Sequence, residues 1–138
     1  MRFVSRTTRS LLEQSREQSQ RRRVAAGTLG AAFPRVEQVR VELRFATVTD
    51  PAPAAQRHAL YPSAPAYFEF ACPFGDCDGS FDLNGVAAPL LRKNESQADG
   101  TIYCSGSRTS IGMTRQPCSL RADYWIFAQY QASPRSKG

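Results

Sequence analysis

The sequence predicts a mainly β fold, a small antiparallel sheet with cysteine-bearing hairpins behind a basic N-terminal helical or disordered arm, and three observations predict it. Val39, Val41, Leu43 and Phe45 alternate with Arg40, Glu42 and Arg44, the period of two of a strand with one buried face. Ala122, Tyr124, Ile126 and Ala128 alternate in the same way with Asp123, Trp125 and Phe127. The four cysteines fall as two local pairs, Cys72 with Cys77 and Cys104 with Cys118.

The arm comes first, over residues 1–34. Residues 1–44 carry ten Arg against four Glu, and residues 45–138 hold eight basic and eight acidic side chains, so the formal +6 of the chain belongs to its first third. From Glu13 to Arg23 there is not one apolar side chain, and hence no face to bury. The segment reads as a solvated helix or a disordered stretch; pairs such as Glu13 with Arg16 and Glu17 with Arg21 would each add only about 0.2–0.5 kcal/mol to a helix. Arg21, Arg22 and Arg23 lead into a segment with Gly27, Gly30 and Pro34, which marks a hinge and the domain boundary.

A single β domain is expected over 35–131, with a loose tail at 132–138. Its first strand is the one at Val39–Val48. Pro51, Pro53, Pro62 and Pro65 then keep the chain out of any central strand, so 49–65 is expected as a surface connection pinned by Leu60 and Tyr61. Tyr67 to Cys72 forms the next strand, with Phe68, Phe70 and Cys72 on one side. A turn follows, in which Pro73 presets one dihedral and Gly75 and Gly79 tolerate positive φ, which lets backbone amides point toward two thiolates. Ser80 to Leu83 returns. Asn84 is placed to cap a short helix through Val86, Ala87, Leu90 and Leu91, which Pro89 weakens. Thr101 to Cys104 gives a third strand, and Leu120 to Tyr130 the longest. Thirteen residues rich in Ser, Gly and Thr separate Cys104 from Cys118 and carry Arg108 and Arg115.

Two sequence-local thiol pairs from separate hairpins suit one tetrahedral zinc ion, with paired disulfides or unliganded thiols as the alternatives. The turn Cys72-Pro-Phe-Gly-Asp-Cys77-Asp-Gly79 resembles a zinc-ribbon knuckle, and the second pair resembles a knuckle with an enlarged loop. Both depart from the common form of two residues between cysteines: the first turn has four and the second thirteen. The resemblance implies one structural zinc on Cys72, Cys77, Cys104 and Cys118, and a module that docks on nucleic acid or on protein machines. It carries over no catalytic residue.

The residues point the same way. The four cysteines would close the zinc shell and leave no open position for catalysis. There is no Gly-rich phosphate loop, nucleophile elbow or His-Glu-x-x-His pattern, so no enzymatic role is expected. His58 sits among prolines without a partner motif, and Asp76 and Asp78 read as turn residues. The candidate phosphate contacts are Arg16, Arg21, Arg22 and Arg23 of the arm, with Arg108 and Arg115 of the second loop. The function expected is therefore a zinc-stabilised accessory factor on nucleic acid or a ribonucleoprotein. The competing expectation is a protein–protein adaptor that uses a sheet face or edge, with Trp125 or Phe127 as anchor. With no apolar run long enough to span a bilayer and no secretory h-region, the expected location is cytoplasmic, and no membrane partner is expected.

Overall fold

The computed structural model describes residues 2–48, 51–108 and 116–131, and along its first helix the side chains from Glu13 onward. Helix α1 spans Arg2–Ala25 and is followed by a one-turn helix α2, Leu29–Ala32. The strands are β1 (Val36–Ala46), β2 (Gln56–Leu60), β3 (Glu69–Ala71), β4 (Ser80–Asp82), β5 (Gln97–Tyr103), β6 (Ser107–Arg108), β7 (Gln116–Pro117) and β8 (Arg121–Tyr130), with α3 (Asn84–Arg92) between β4 and β5. Four strands form an antiparallel sheet in the order β2-β1-β8-β5, and β3-β4 and β6-β7 make two short hairpins.

The alternation read in the sequence sets the sheet's two faces. Val39, Val41, Leu43 and Phe45 of β1 and Ala122, Tyr124, Ile126 and Ala128 of β8 are buried on one side. Against that inner face packs the β3-β4 hairpin: Phe81 meets Phe45 with ring centroids 5.6 Å apart, and Phe70 meets His58 at 4.6 Å. Because strand side chains alternate, Glu69 and Ser80 face away from the sheet, and there they meet α1. Ser19 Oγ donates to Glu69 Oε1 (3.1 Å), Arg23 donates to the Glu69 carbonyl (2.9 Å), and Ser15 Oγ donates to the Asp78 carbonyl (3.1 Å). The molecule thus has three layers: sheet, cysteine hairpins and α1.

Several elements differ from the sequence expectations for identifiable reasons. The proline-flanked connection contains a strand, β2, which pairs only with β1; an edge strand tolerates flanking prolines that a central strand would not. His58 lies on this strand, half-buried against Phe70, and burial lowers its pKa. The glycine-containing segment after α1 is packed: Leu29 is fully buried, and the Leu29 and Gly30 amides bond the carbonyls of Ala64 and Pro62. Gly27, at φ 73°, makes the turn. At α3, Asp82 Oδ1 accepts from the Asn84 amide, while Asn84 Oδ1 accepts from the Phe68 amide, so Asp82 serves the helix start and Asn84 ties it to the first cysteine strand. The strand Val36–Ala46 is one residue longer than Arg121–Tyr130. Neither Glu13–Arg16 nor Glu17–Arg21 closes as an ion pair among the described residues. The tail at 132–138 lies outside the described residues.

Candidate metal centre

The two cysteine pairs converge. The β3-β4 turn supplies Cys72 and Cys77, and the segments at the ends of β5 and β7 supply Cys104 and Cys118. All four thiols are free and buried, and their Sγ atoms lie within 4.8 Å of one another. The short separations cross between hairpins: Cys72 to Cys118 is 3.9 Å and Cys77 to Cys104 is 3.5 Å. A disulfide needs about 2.05 Å, so no bond joins them. A tetrahedral ion with four thiolates at about 2.3 Å has sulfur–sulfur edges of about 3.8 Å; the two short separations lie on either side of that value, and the remaining ones reach no further than 4.8 Å. The quartet is a site that could hold a metal ion.

The local chain is shaped to hold thiolate charge there. The Gly79 amide donates to Cys77 Sγ at 3.3 Å and the Gly106 amide to Cys104 Sγ at 3.4 Å, one donor at the matching position of each turn, two residues after the cysteine. Neither glycine uses the positive φ it could tolerate; Gly27 alone among the described glycines has it. Space is the reason for Gly79 and Gly106. A Cβ on Gly79 would lie 2.3 Å from the Gly106 nitrogen and 2.6 Å from Cys104 Sγ, and a Cβ on Gly106 would lie 2.2 Å from the Gly79 nitrogen. The turns touch backbone to backbone, which is how two hairpins bring four sulfurs to one point. A Cβ on Gly75 would meet nothing within 4 Å.

Crowding neutral thiols together raises the cost of ionising them in the absence of a cation. Burial pushes Cys77 up to about 12, with the neighbouring Cys104 adding to the rise. A hydrogen bond with Cys72 and then burial push Cys104 up as well. A bound cation reverses that balance, because it stabilises the thiolates that the protein alone disfavours.

Around the quartet, charged side chains lock the hairpins together. Arg108 Nε donates to both carboxylate oxygens of Asp76, at 3.1 and 3.3 Å, and the guanidinium lies 3.7 Å from the centre of the Phe74 ring. Asp78 Oδ1 accepts from the Ser107 amide at 2.8 Å. Asp76 and Asp78 are thus turn residues with specific structural partners on the opposite hairpin. Arg108, expected at a phosphate, has its guanidinium engaged within the protein.

The chain matches no known family model, no curated protein and no solved structure. The remaining candidates are therefore placed by geometry alone. On α1, Arg16 and Arg21 are exposed and have no ion-pair partner among the described residues. Arg22 is exposed and hydrogen-bonds Tyr67, which raises the pKa of its guanidinium. Arg23 turns inward, onto the Glu69 carbonyl and over the Tyr67 ring at 5.4 Å. Arg115 lies outside the described residues. Trp125 and Phe127 are half-exposed on the outer sheet face.

Sequence reasoning missed Glu69. Its carboxylate accepts from Ser80, Tyr67 and Ser19; burial alone would raise its pKa, but those three hydroxyls outweigh it and hold the group below its ordinary value. Its place opposite Phe68 and Phe70 on one strand was the available signal: an acid on that face needs polar partners from whatever covers it. A groove of about 250 Å³ runs between α1 and the first cysteine turn, lined by Arg16, Gln20, Glu69, Phe74 and Cys72 among others.

Proposed function

We propose that the chain is a non-enzymatic, zinc-stabilised binding module of the zinc-ribbon kind, a cytoplasmic accessory factor that docks on nucleic acid or a ribonucleoprotein through the arginines of α1. Zinc is the ion that suits four convergent thiolates at tetrahedral edges, and a shell closed by four sulfurs leaves no position for a reacting water, which is why its role is structural. The observation that favours nucleic acid is the pair of exposed arginines, Arg16 and Arg21, with no carboxylate partner among the described residues, beside Arg22, on a helix whose other side is fastened to the metal hairpin. Guanidinium groups held in this way meet phosphates without giving up an internal ion pair.

Binding of a labelled RNA, followed by fluorescence anisotropy through a salt series, tests the reading. Affinity falls linearly in log–log form with salt, and replacing Arg16, Arg21 and Arg22 together by Ala lowers the slope by about 0.7 for each single-strand phosphate that the variant no longer neutralises. Equal affinity and slope for this variant and the wild type would reject the arm as the binding element.

One observation favours a second reading, a protein adaptor. In the β5–β8 ladder the Cys104 amide bonds the Leu120 carbonyl and the Ala128 amide bonds the Ser96 carbonyl, so Gln97, Asp99, Thr101 and Tyr103 turn their backbone groups away from β8. No strand pairs with them among the described residues, and such an edge accepts an extended peptide. Partners captured from the native host that survive nuclease and raised salt would favour this reading.

A further inference from the structure

The outer face of the four-stranded sheet lies on the opposite side of the molecule from α1, and its composition is distinct. Trp125 and Phe127 stand on it at alternate positions of β8, about 6.7 Å apart along the strand. From β1, the Arg44 guanidinium lies 5.2 Å from the Trp125 ring centre and the Arg40 guanidinium 5.3 Å from that of Phe127. Tyr103 of β5, opposite Arg121, is 66% exposed. At the margins, Arg57 and Arg44 flank Glu42 at 3.2 and 3.7 Å, and Arg121 lies 3.8 Å from Asp123, which also accepts from Thr101. Asp99 and, at the β1 bulge, Glu37 bring the carboxylates of the face to four, against four guanidinium groups. Glu42 and Asp123 position arginines, and Arg40 has no ion-pair partner among the described residues.

We propose that this face binds single-stranded nucleic acid, with Trp125, Phe127 and the guanidinium planes of Arg44 and Arg40 stacking on bases, and Arg57 and Arg121 exchanging their solvent-exposed carboxylate partners, which hold them only weakly, for phosphates. The chemistry selects this occupant over a peptide. Rings and guanidinium planes at strand spacing offer several π surfaces in a row, which splayed bases use and a peptide side-chain row does not. The face is built from alternate side chains of paired strands, and the backbone groups a peptide would pair with are at the β5 edge instead. A duplex, whose bases are already stacked, gains nothing from the rings. The proposal rests on the nucleic-acid reading above and adds a second surface to it, independent of α1.

Trp125 is the sole tryptophan of the chain, so its own fluorescence reports on the face. The zinc-loaded chain is titrated with a short oligouridylate and, separately, with an RNA hairpin duplex. The expected result is quenching of Trp125 by the single strand and none by the duplex. Phe127→Leu and Arg40→Ala weaken oligouridylate binding roughly 5- to 150-fold, the range for removing one base–aromatic stack, and leave duplex binding unchanged. The wild-type emission decides the matter even where a variant folds poorly. Oligouridylate binding that needs Arg16, Arg21 and Arg22 but neither perturbs Trp125 nor responds to Phe127→Leu would overturn the proposal and leave the arm reading intact. No binding of either RNA would overturn both. A nuclease-resistant protein complex that Phe127→Leu disrupts would overturn it in favour of a protein-docking face.

Discussion

Substituting Gly106 by Ala tests the way the two hairpins share one centre. The added Cβ would sit 2.2 Å from the Gly79 nitrogen, 2.3 Å from its Cα and 2.6 Å from Asp78 Oδ1, against an ordinary separation of 3.4–4 Å. Two of these neighbours are backbone and cannot swing aside, so the turns must part by about 1 Å, several times the ~0.2 Å tolerance of a zinc–ligand distance. Overpacking of this kind costs about 1–3 kcal/mol. Structural zinc contributes about 10–16 kcal/mol in small peptides, so the ion is not expelled at saturation. The strain instead falls on the metal-bound state, because free hairpins relax apart, and it emerges as weaker binding. At about 1.4 kcal/mol per decade the expected loss is roughly 5- to 150-fold in zinc affinity. Competition with a chromophoric chelator reads this directly, and metal content at excess zinc remains near one ion per chain. Gly75→Ala is the control from the neighbouring turn, where the methyl meets open space. If Gly106→Ala holds zinc as tightly as Gly75→Ala does, the close backbone approach is not what brings the sulfurs together.

Three further outcomes are expected. Chelation loosens the carbonyl of Asp78 and the strand bearing Glu69, so trypsin cleaves after Arg21, Arg22 or Arg23 sooner in the metal-free chain, and mass analysis of the first fragments checks this; identical first cuts with and without chelator would contradict it. Removing the carboxylate with Glu69→Ala costs about 1.5–3 kcal/mol where α1 meets the hairpin while the metal stays bound, seen as faster amide exchange in α1; no change in that exchange counts against Glu69 as the fastening point. The metal-free chain loses stability as the pH rises: Cys77 is raised to about 12 in the fold against about 8.5 in an unfolded chain, so its stabilisation is intact below about 8.5 and disappears toward 12. The metal-loaded chain behaves in the opposite sense, losing the ion as protons compete at low pH, and urea melts at several pH values separate the two; a metal-free form that gains stability above pH 8.5 would refute the assignment.

What the sequence made legible is what depends on period and spacing. The buried faces of β1 and β8 follow from alternation, and the cysteine quartet from two local pairs. Strand β2 was hidden because Gln56, Arg57, His58, Ala59 and Leu60 have no apolar stripe; the strand exists because β1 offers an unpaired edge, a property of the partner. The ion pair of Arg108 was hidden for a similar reason. Its carboxylate, Asp76, is 32 residues away, and the two meet only because the cysteines on either side share a centre. Once four thiols are assigned to one site, however, opposite charges in its two turns must face each other, and that inference was available.

The short hairpins show what a metal ion at the cysteine quartet would add to this fold. Strands β3 and β4 have three residues each, and β6 and β7 two each, far below what an isolated hairpin needs in water. The first hairpin has one apolar face, Phe70 and Phe81, on the sheet and one polar face, Glu69 and Ser80, toward α1. Burial of the rings fixes it to the sheet but does nothing to hold the second hairpin, whose two-residue strands bury no large apolar side chain. The cross-connections are the thiol quartet, the Arg108–Asp76 pair and the hydrogen bonds that join Asp78 to Ser107 and Ser105 to Ser80; at 21% exposure on each side the ion pair is worth only a few kcal/mol at most. An ion bound by all four sulfurs would be the stronger link by several-fold, and it would act on the turn that presents Asp78 to α1. A bound ion would therefore steady the Asp78 carbonyl that Ser15 reaches, while the Glu69 contacts with Ser19 and Arg23 hold α1 without it, so loss of metal loosens the arm at one of its two attachments and loss of Glu69 at the other.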